Sequence, residues 1–459
     1  MCDNSVVHIP FTLLPSPFPA KLYRKCLSVQ PALNDLMCKV ANDFNFMEEI
    51  LRPIAKVDNF TKGLLDVNYT VEKEGRAQSV MSCISRADYM LDQFDNTSLR
   101  VRQVEVNAIA SGMSAHSCKL KGLHEYLSTK YNLDLPDGAT LPENNSMDLV
   151  VQGIIDAFDA YGKKDVFVLL INEERSLNFS EHQQLELNIA GRRPDIKVLR
   201  RRFIDLDSLV QLGPNRELLL EESREVAVVY FRYGYDPSNY NGTNAWHVRL
   251  LLERSRAIKC PSINFHLSGV KKFQQALNSQ KHLERFLDED SAKQLADTFC
   301  QIWSLDSETN EISKMIRDDS SKLVLKPQRE GGGHNIFGDQ IKEFVDNINN
   351  PDERSQYILM EYINSPKEYN WLLLKDDMDN RLGLTSPHKL ISELGVYGSI
   401  LSDGPNILFN RVAGYLVRSK KFGVNEGGVA SGFAGIGNIF LVEDDELTEK
   451  FSLYYDESN

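Results

Sequence analysis

Lys322-Leu-Val-Leu325 runs directly into Lys326-Pro-Gln-Arg-Glu-Gly-Gly-Gly-His-Asn335. The first four residues read as a short strand, and the ten that follow read as a glycine-rich loop. Three consecutive glycines expose backbone N–H groups and let the main chain approach a phosphate that side chains would hold off. Lys326 at the strand end brings a compact positive charge, and Glu330 brings a hard oxygen suited to Mg²⁺. Three glycines alone are the mark of an ordinary surface loop. A lysine, an arginine and a glutamate ordered around them point instead to a phosphate cover. No G-x-x-x-x-G-K-[ST] stretch occurs, so this is not a P-loop.

Outward from this loop, Tyr357-Ile-Leu-Met-Glu361 and Trp371-Leu-Leu-Leu374 continue a strand-rich region with glycine-rich interruptions, as expected of an antiparallel layer over a nucleotide. Upstream, helical spacing over 148–161 and 180–191 alternates with apolar strands at 166–171, 196–204 and 226–231. That alternation predicts a small α/β unit with a largely parallel sheet. The first 75 residues read as mostly helical, Leu99 to Val106 as a strand, and the polar stretch 133–146 as a linker. The fold class is therefore α/β (α+β).

The chain has 459 residues, 42% of them apolar, and a formal net charge of −13. It is long enough for two or three domains, and its acidic balance excludes a typical nucleic-acid binder. The apolar runs, such as Val166 to Ile171, are strand-sized and too short for a membrane span of about 20 residues. Seven scattered cysteines without a CxxC pair read as reduced thiols. No basic or apolar leader opens the chain, so the cytoplasm is the expected compartment. A secreted chain whose leader has been removed would read the same way.

Four further stretches carry chemistry. In Val104-Glu105-Val106-Asn107, strand alternation puts Glu105 and Asn107 on one face as a pair of oxygen ligands, with Val104 and Val106 turned into the core. Arg418 and Lys420 share a strand face, followed by the donor-rich loop Gly427-Gly-Val-Ala-Ser-Gly432. Ile391-Ser-Glu-Leu-Gly-Val-Tyr-Gly398 is a second glycine-punctuated stretch, and Tyr230-Phe-Arg-Tyr-Gly-Tyr235 puts an arginine at a strand end. Singly, each is an ordinary strand face or loop.

Together they resemble the eukaryotic glutathione synthetase family of ATP-grasp ligases. The resemblance rests on K-P-Q-R-E-G-G-G-x-N at 326–335, S-R-A-D-Y-M at 85–90, E-V-N at 105–107, Y-F-R-x-G-Y at 230–235 and L-L-L-E-R-S at 250–255. It extends to G-V-K-K at 269–272, I-L-M-E at 358–361 and V-R-S-K…G-G-V-A at 417–430, in family order from about residue 10 to 440. It implies an ATP-grasp core with a glycine-rich lid and a smaller parallel-sheet substrate domain, usually as a homodimer. The boundaries expected are 1–160 for the helical region and part of the core, 161–270 for the substrate domain, and 271–459 for the rest of the core, with the lid at about 321–395.

The resemblance also implies roles. Glu105, Asn107 and Glu330 would hold Mg²⁺. Glu105, Lys271, Lys326, Gly331, Gly332, Gly333, Asn335 and Lys420 would surround the ATP phosphates, and Glu426 would also bind ATP. Phe337, Met360, Glu361, Ile363 and Glu393 would surround the adenosine. Arg86, Ser111, Asn178, His182, Arg232 and Tyr235 would address a dipeptide donor, γ-glutamylcysteine in the family. Arg418, Val429 and Ala430 would take the carboxylate of a small amino acid such as glycine. Arg86, Lys326 and Arg418 would be catalytic, acting on an acyl phosphate formed from ATP.

Departures from the family pattern cluster at the donor positions. Ala110 and Gly112 stand where serines are usual, and Ser176 and His182 where a glutamate and a glutamine are usual. Three functions follow as alternatives: a glutathione synthetase with an altered donor pocket, a paralogue with another substrate, or a non-catalytic ATP-binding effector or interaction protein.

Overall fold

The computed structural model describes residues 8–94, 98–132, 135, 138–173, 178–305, 310–328, 335–348, 350–374, 387–425, 427–429 and 432–443. Three helices open the chain: Ala20–Asn42, Phe44–Ala55 and Asn59–Glu74. The first buries Cys26, Val29, Leu33, Leu36, Met37 and Val40, a stripe at three- and four-residue spacing. Asp43 ends it and caps the next helix, accepting from the Phe46 N–H at 3.0 Å. Asp58 caps the third by accepting from the Thr61 N–H at 2.9 Å. Gly75, at φ +79°, terminates that helix.

These helices pack on one face of an eight-stranded sheet. Its order is Leu372–Leu373, Phe11–Thr12, Ala434–Gly437, Asn406–Lys421, His388–Asp403, Val80–Gln93 and Leu99–Asn107, with Glu368–Asn370 also paired to His388–Asp403. The shared core joins Phe46, Met47, Leu51 and Leu64 to Ala87, Tyr89, Leu394, Val396 and Tyr415. Each large apolar side chain so buried contributes roughly 1.5–3 kcal/mol. The opposite face carries residues two apart on neighbouring strands. Tyr397 pairs with Arg86, Gly395 with Asp88, Asp88 with Glu105, Arg86 with Asn107, and Glu393 with Arg418.

The second sheet is the parallel unit expected from the alternation. Lys197–Arg202, Phe167–Asn172, Arg224–Phe231 and Ile258–Cys260 lie parallel, with Leu218–Leu220 and Val210–Leu212 added antiparallel. Helices Ser146–Tyr161 and Phe179–Arg192 cover one face, and Thr243–Arg254 covers the other. Burial on both faces explains why Phe167–Asn172 is apolar without alternation.

A four-stranded antiparallel sheet, ordered Ile302–Ser304, Tyr357–Glu361, Leu323–Pro327 and Ile336–Phe337, has its own core of Leu305, Ile316, Leu325, Ile341 and Leu359. It faces the charged side of the main sheet. Among the described residues no helix is long and apolar enough to cross a membrane. None of the six described cysteines is in a disulfide.

One sequence expectation is corrected. Val104 does not enter the core. The pairing of Val80–Gln93 with Leu99–Asn107 slips between Asp88 and Tyr89, so Asp88 faces Glu105 while Tyr89 faces Gln103. Val104 is the extra residue of this bulge and lines the cavity described below. Gln103 and Val101 take the buried positions.

Candidate nucleotide and substrate site

A cavity of about 250 Å³ lies between the four-stranded sheet and the main sheet. Val324, Phe337, Met360 and Ile363 form its apolar wall from one side, Met90 and Ile391 from the other. A flat aromatic base fits such a slot, with the carboxylates of Glu361 and Glu393 at its edge. Glu361 is held in place by Arg100 at 3.2 Å.

Cations line the remainder: Lys271, Lys326, Arg418 and Lys420. Lys326 and Lys271 are 6% and 7% exposed. Lys271 lies 3.5 Å from Glu105. Burial pushes the Lys326 ammonium down, and Glu105 pushes it back up. Burial would raise the Glu105 carboxyl, but Lys271, Lys326, Arg418 and Arg86 outweigh it and hold it at about 2. Ionised Glu105 and the cations around it form a site for polyphosphate with a cation.

The metal ligands proposed from sequence fit this reading in their chemistry. Asn107 donates its amide N–H groups to Asp88 at 2.8 Å and to Glu105 at 3.4 Å, which leaves its carbonyl oxygen as an acceptor. A carboxylate and an amide oxygen are hard donors suited to Mg²⁺. Among the described residues no three His, Cys, Asp or Glu side chains group as a metal site.

Asp88 organises the chemical end of the site. It is fully buried and accepts from Arg86 at 2.6 and 2.8 Å, from Arg418 at 2.9 Å and from Asn107. Arg418 also reaches Glu393, through Nε at 3.0 Å. Burial raises the Glu393 carboxyl and Arg418 opposes that. Gly395 makes the network possible. A Cβ there would stand 2.5 Å from Asp88 Oδ1 and 2.6 Å from Arg86 Cδ. Asp88 was not picked out from sequence, although it lies two residues from Arg86 on a strand and alternation places both on one face.

The donor positions continue from Arg86. Its Nη1 approaches the Gly112 carbonyl at 3.5 Å, and the Tyr397 hydroxyl donates to the same oxygen at 2.6 Å. The Ser111 hydroxyl donates to the Asn107 carbonyl at 3.0 Å, so Ser111 offers its backbone rather than its side chain to Arg232. Arg232 Nη2 donates to Glu181 at 2.7 Å, and its Nε points at His182 Nε2 at 3.4 Å. Burial and the Arg232 charge hold the His182 imidazole down at about 4. Burial raises the nearby Tyr235 hydroxyl, with Glu173 adding to it and Arg232 opposing. Asn178 sits at the start of helix Phe179–Arg192, one turn before His182. Glu181, a carboxylate at the heart of this group, was also missed, because nothing local in its stretch marks a partner 51 residues away.

Val429 is buried against Tyr397, Leu416 and Ile436, and its neighbours Gly427 and Gly428 line the cavity. Asn335, Phe337 and Lys420 line the cavity as expected. Glu330, Gly331, Gly332, Gly333, Glu426, Ala430 and Ser176 lie outside the described residues.

The family model of the eukaryotic glutathione synthase ATP-binding domain matches residues 2–441. Glutathione synthetase of Rattus norvegicus is 36% identical over 444 residues, 96% of this chain and 91% of that one. The Homo sapiens enzyme is 35% identical over 441 residues, 95% and 91%. The chloroplastic glutathione synthetase of Solanum lycopersicum is 34% identical over 441 residues, 95% and 78%. Among solved structures, a glutathione synthetase-like effector from Globodera pallida in its apo form superposes with a TM-score of 0.77 at 21% identity, covering 96% of this chain and 92% of that one, a likeness of fold. With a family match over nearly the whole chain and relatives above one-third identity, this chain belongs to the eukaryotic glutathione synthase family of ATP-grasp carboxylate–amine ligases.

Proposed function

We propose that the chain joins a donor carboxylate to the amine of a small amino acid, at the expense of ATP and with Mg²⁺, through an acyl phosphate, and that its donor pocket is altered. The observation that carries this is the Asp88 network. It binds Arg86 and Arg418 to one buried carboxylate, and Arg418 lines the same cavity as Lys271 and Lys326.

A donor carboxylate held by Arg86 has an oxygen free to attack the γ-phosphorus, and the bond to ADP breaks. The acceptor, its own carboxylate gripped by Arg418, brings its amine to the acyl carbon. The new C–N bond displaces phosphate, and the amine gives up a proton. Lys326 and Lys271 neutralise the phosphate charge throughout, and positioning does the rest. Glu105, Asn107 and Glu330 would hold Mg²⁺, which supplies charge neutralisation at the phosphates. No side-chain nucleophile is called for.

In this reading residues 1–160 and 271–459 form the core with its lid at about 321–395, residues 161–270 form the substrate domain, and two chains associate as a homodimer in the cytoplasm. Support for an altered donor pocket comes from Ala110, Gly112 and His182 around Arg232. ADP release with γ-glutamylcysteine and glycine tests the reading. Turnover requiring both donor and acceptor is expected. Tight Mg²⁺-ATP binding without ADP release under any donor would favour a non-catalytic ATP-binding protein instead.

A further inference from the structure

The end of the site remote from the nucleotide is built on a buried ion pair. Contacts run in one line from Arg418 through Asp88 to Arg86, then through the Gly112 and Ser111 carbonyls to Arg232. A donor extending from the phosphoryl-transfer point along Arg86 therefore ends at Arg232. That arginine already has three protein acceptors: Glu181 Oε2 at 2.7 Å, the Ser111 carbonyl at 2.8 Å and His182 Nε2 at 3.4 Å. Glu181 is equally buried, and its other oxygen accepts from Ser114 Oγ at 3.0 Å and the Ala115 N–H at 3.5 Å.

Arg232 is paired before any ligand arrives. Glu181 neutralises Arg232, and Glu173 adds a second carboxylate on the Tyr235 side. Arg200, the other cation near His182, is itself paired with Glu186 at 2.6 Å. His182 uses Nε2 as an acceptor, so its proton belongs on Nδ1, an atom that is buried without a partner among the described residues. Among the described residues, the surroundings thus hold the carboxylates of Glu181, Glu173 and Glu186 against the guanidiniums of Arg232 and Arg200. A carboxylate arriving here would compete with Glu181 for Arg232 and meet a net negative field. An ammonium or a carboxamide meets neither obstacle.

We infer that the donor carries no free carboxylate at its far end, where it is amidated or cationic, and that Glu181 is the residue that sets this preference. Gly112 belongs to the same device. A Cβ there would stand 2.8 Å from Arg232 Nη2 and 3.3 Å from Glu181 Oε2, so a glycine is what lets the ion pair rest against the loop.

The inference rests on the ligase reading above, and the test keeps the two apart. The full chain, with Mg²⁺-ATP and glycine, is given γ-glutamylcysteine or the same dipeptide with its glutamyl α-carboxylate converted to carboxamide. The expected kcat/KM is at least tenfold higher for the amide, and Glu181→Gln lowers that ratio at least tenfold. A wild-type preference for the free acid, or a ratio unmoved in a folded Glu181→Gln, overturns the inference while leaving ligase activity standing. Should Glu181→Gln fail to fold, or should neither donor release ADP, calorimetry of both donors on the wild-type chain with a non-hydrolysable ATP analogue decides. Tighter binding of the amide supports the inference, and equal, reversed or absent binding overturns it. Absence of ADP release with every donor counts separately, against turnover.

Discussion

The carboxylate of Asp88 accepts from Arg418 at 2.9 Å although the two residues lie on strands separated by a third, His388–Asp403. The contact crosses that strand at Gly395, where there is no side chain to intervene. One buried anion thereby sets the spacing of the two arginines proposed to hold donor and acceptor.

Removing that anion should uncouple chemistry from nucleotide binding. Asp88→Asn leaves Arg86 and Arg418 short of charge, and breaking a buried pair typically costs about 3–5 kcal/mol. The expected result is a clear drop in melting temperature and a loss of roughly 100-fold or more in kcat/KM for the amino-acid acceptor, a loss of about 3 kcal/mol. Affinity for a Mg²⁺-ATP analogue, measured by calorimetry, should change far less, because Asp88 does not line the nucleotide cavity. Equal losses in both would mean that Asp88 is only a structural anchor.

Gly395→Ala probes the same crossing from the other side. The new methyl group would sit 2.5 Å from Asp88 Oδ1. Overpacking of this kind costs about 1–3 kcal/mol. Denaturant midpoints should report that loss, and turnover should fall further than stability alone explains.

Much of this was legible in the sequence. The apolar run Phe167–Asn172 and the helical stripe of Ala20–Asn42 follow from periodicity, and Arg418 and Lys420 share a face because strands repeat every two residues. What was not legible depends on partners far along the chain. The bulge at Val104 arises from how Leu99–Asn107 pairs with Val80–Gln93, and a single strand carries no mark of a slipped register. Glu181 reads as a helix-surface carboxylate until the parallel sheet brings Arg232 against it. Asp88 was within reach of sequence reasoning, since alternation alone sets it beside Arg86.

Glu105 gives a metal-dependent prediction. Its carboxylate is ionised throughout the neutral range, held at about 2 by the surrounding cations. Mg²⁺-ATP at 100 times its Kd should stabilise the fold by about 2.7 kcal/mol through mass action. Chelating Mg²⁺, or replacing Glu105 with Gln, should remove most of the metal-dependent part of the thermal shift. An unchanged shift in both cases would count against Glu105 as a ligand.

Glu368 gives a pH-dependent one. It is 3% exposed, accepts from Ser16 at 2.7 Å and Ser392 at 2.6 Å, and burial lifts its carboxyl to about 7. A folded pKa above the unfolded one means that the native state binds more protons between about 4.5 and 7. The stability this carboxyl contributes is therefore complete below about 4.5 and lost as pH rises through about 7, amounting to at most about 3 kcal/mol. Glu368→Gln keeps the hydroxyl contacts without the titration. It should melt higher than wild type at pH 8 and close to wild type at pH 5. A constant difference across that range would show that Glu368 does not titrate there.

Ala110 and Gly112 separate side-chain chemistry from space in the donor loop. Ala110 sits at φ +53°, a conformation a serine tolerates no worse than an alanine, and its replacement by serine adds only a hydroxyl. Ala110→Ser should change stability little, because it adds one hydroxyl and leaves the positive-φ backbone as it is. Gly112 is absent from the positive-φ glycines, so its backbone accepts a side chain, but the space is taken by Arg232 at 2.8 Å. Gly112→Ser should push Arg232 away from Glu181 at a cost of about 1–3 kcal/mol, and release the guanidinium toward a ligand carboxylate. The expected outcome is a higher kcat/KM for γ-glutamylcysteine relative to its α-amide in Gly112→Ser, with Ala110→Ser leaving the ratio near wild type. If Ala110→Ser moves the ratio and Gly112→Ser does not, a hydroxyl at 110, and not the freedom of Arg232, governs how the donor is read.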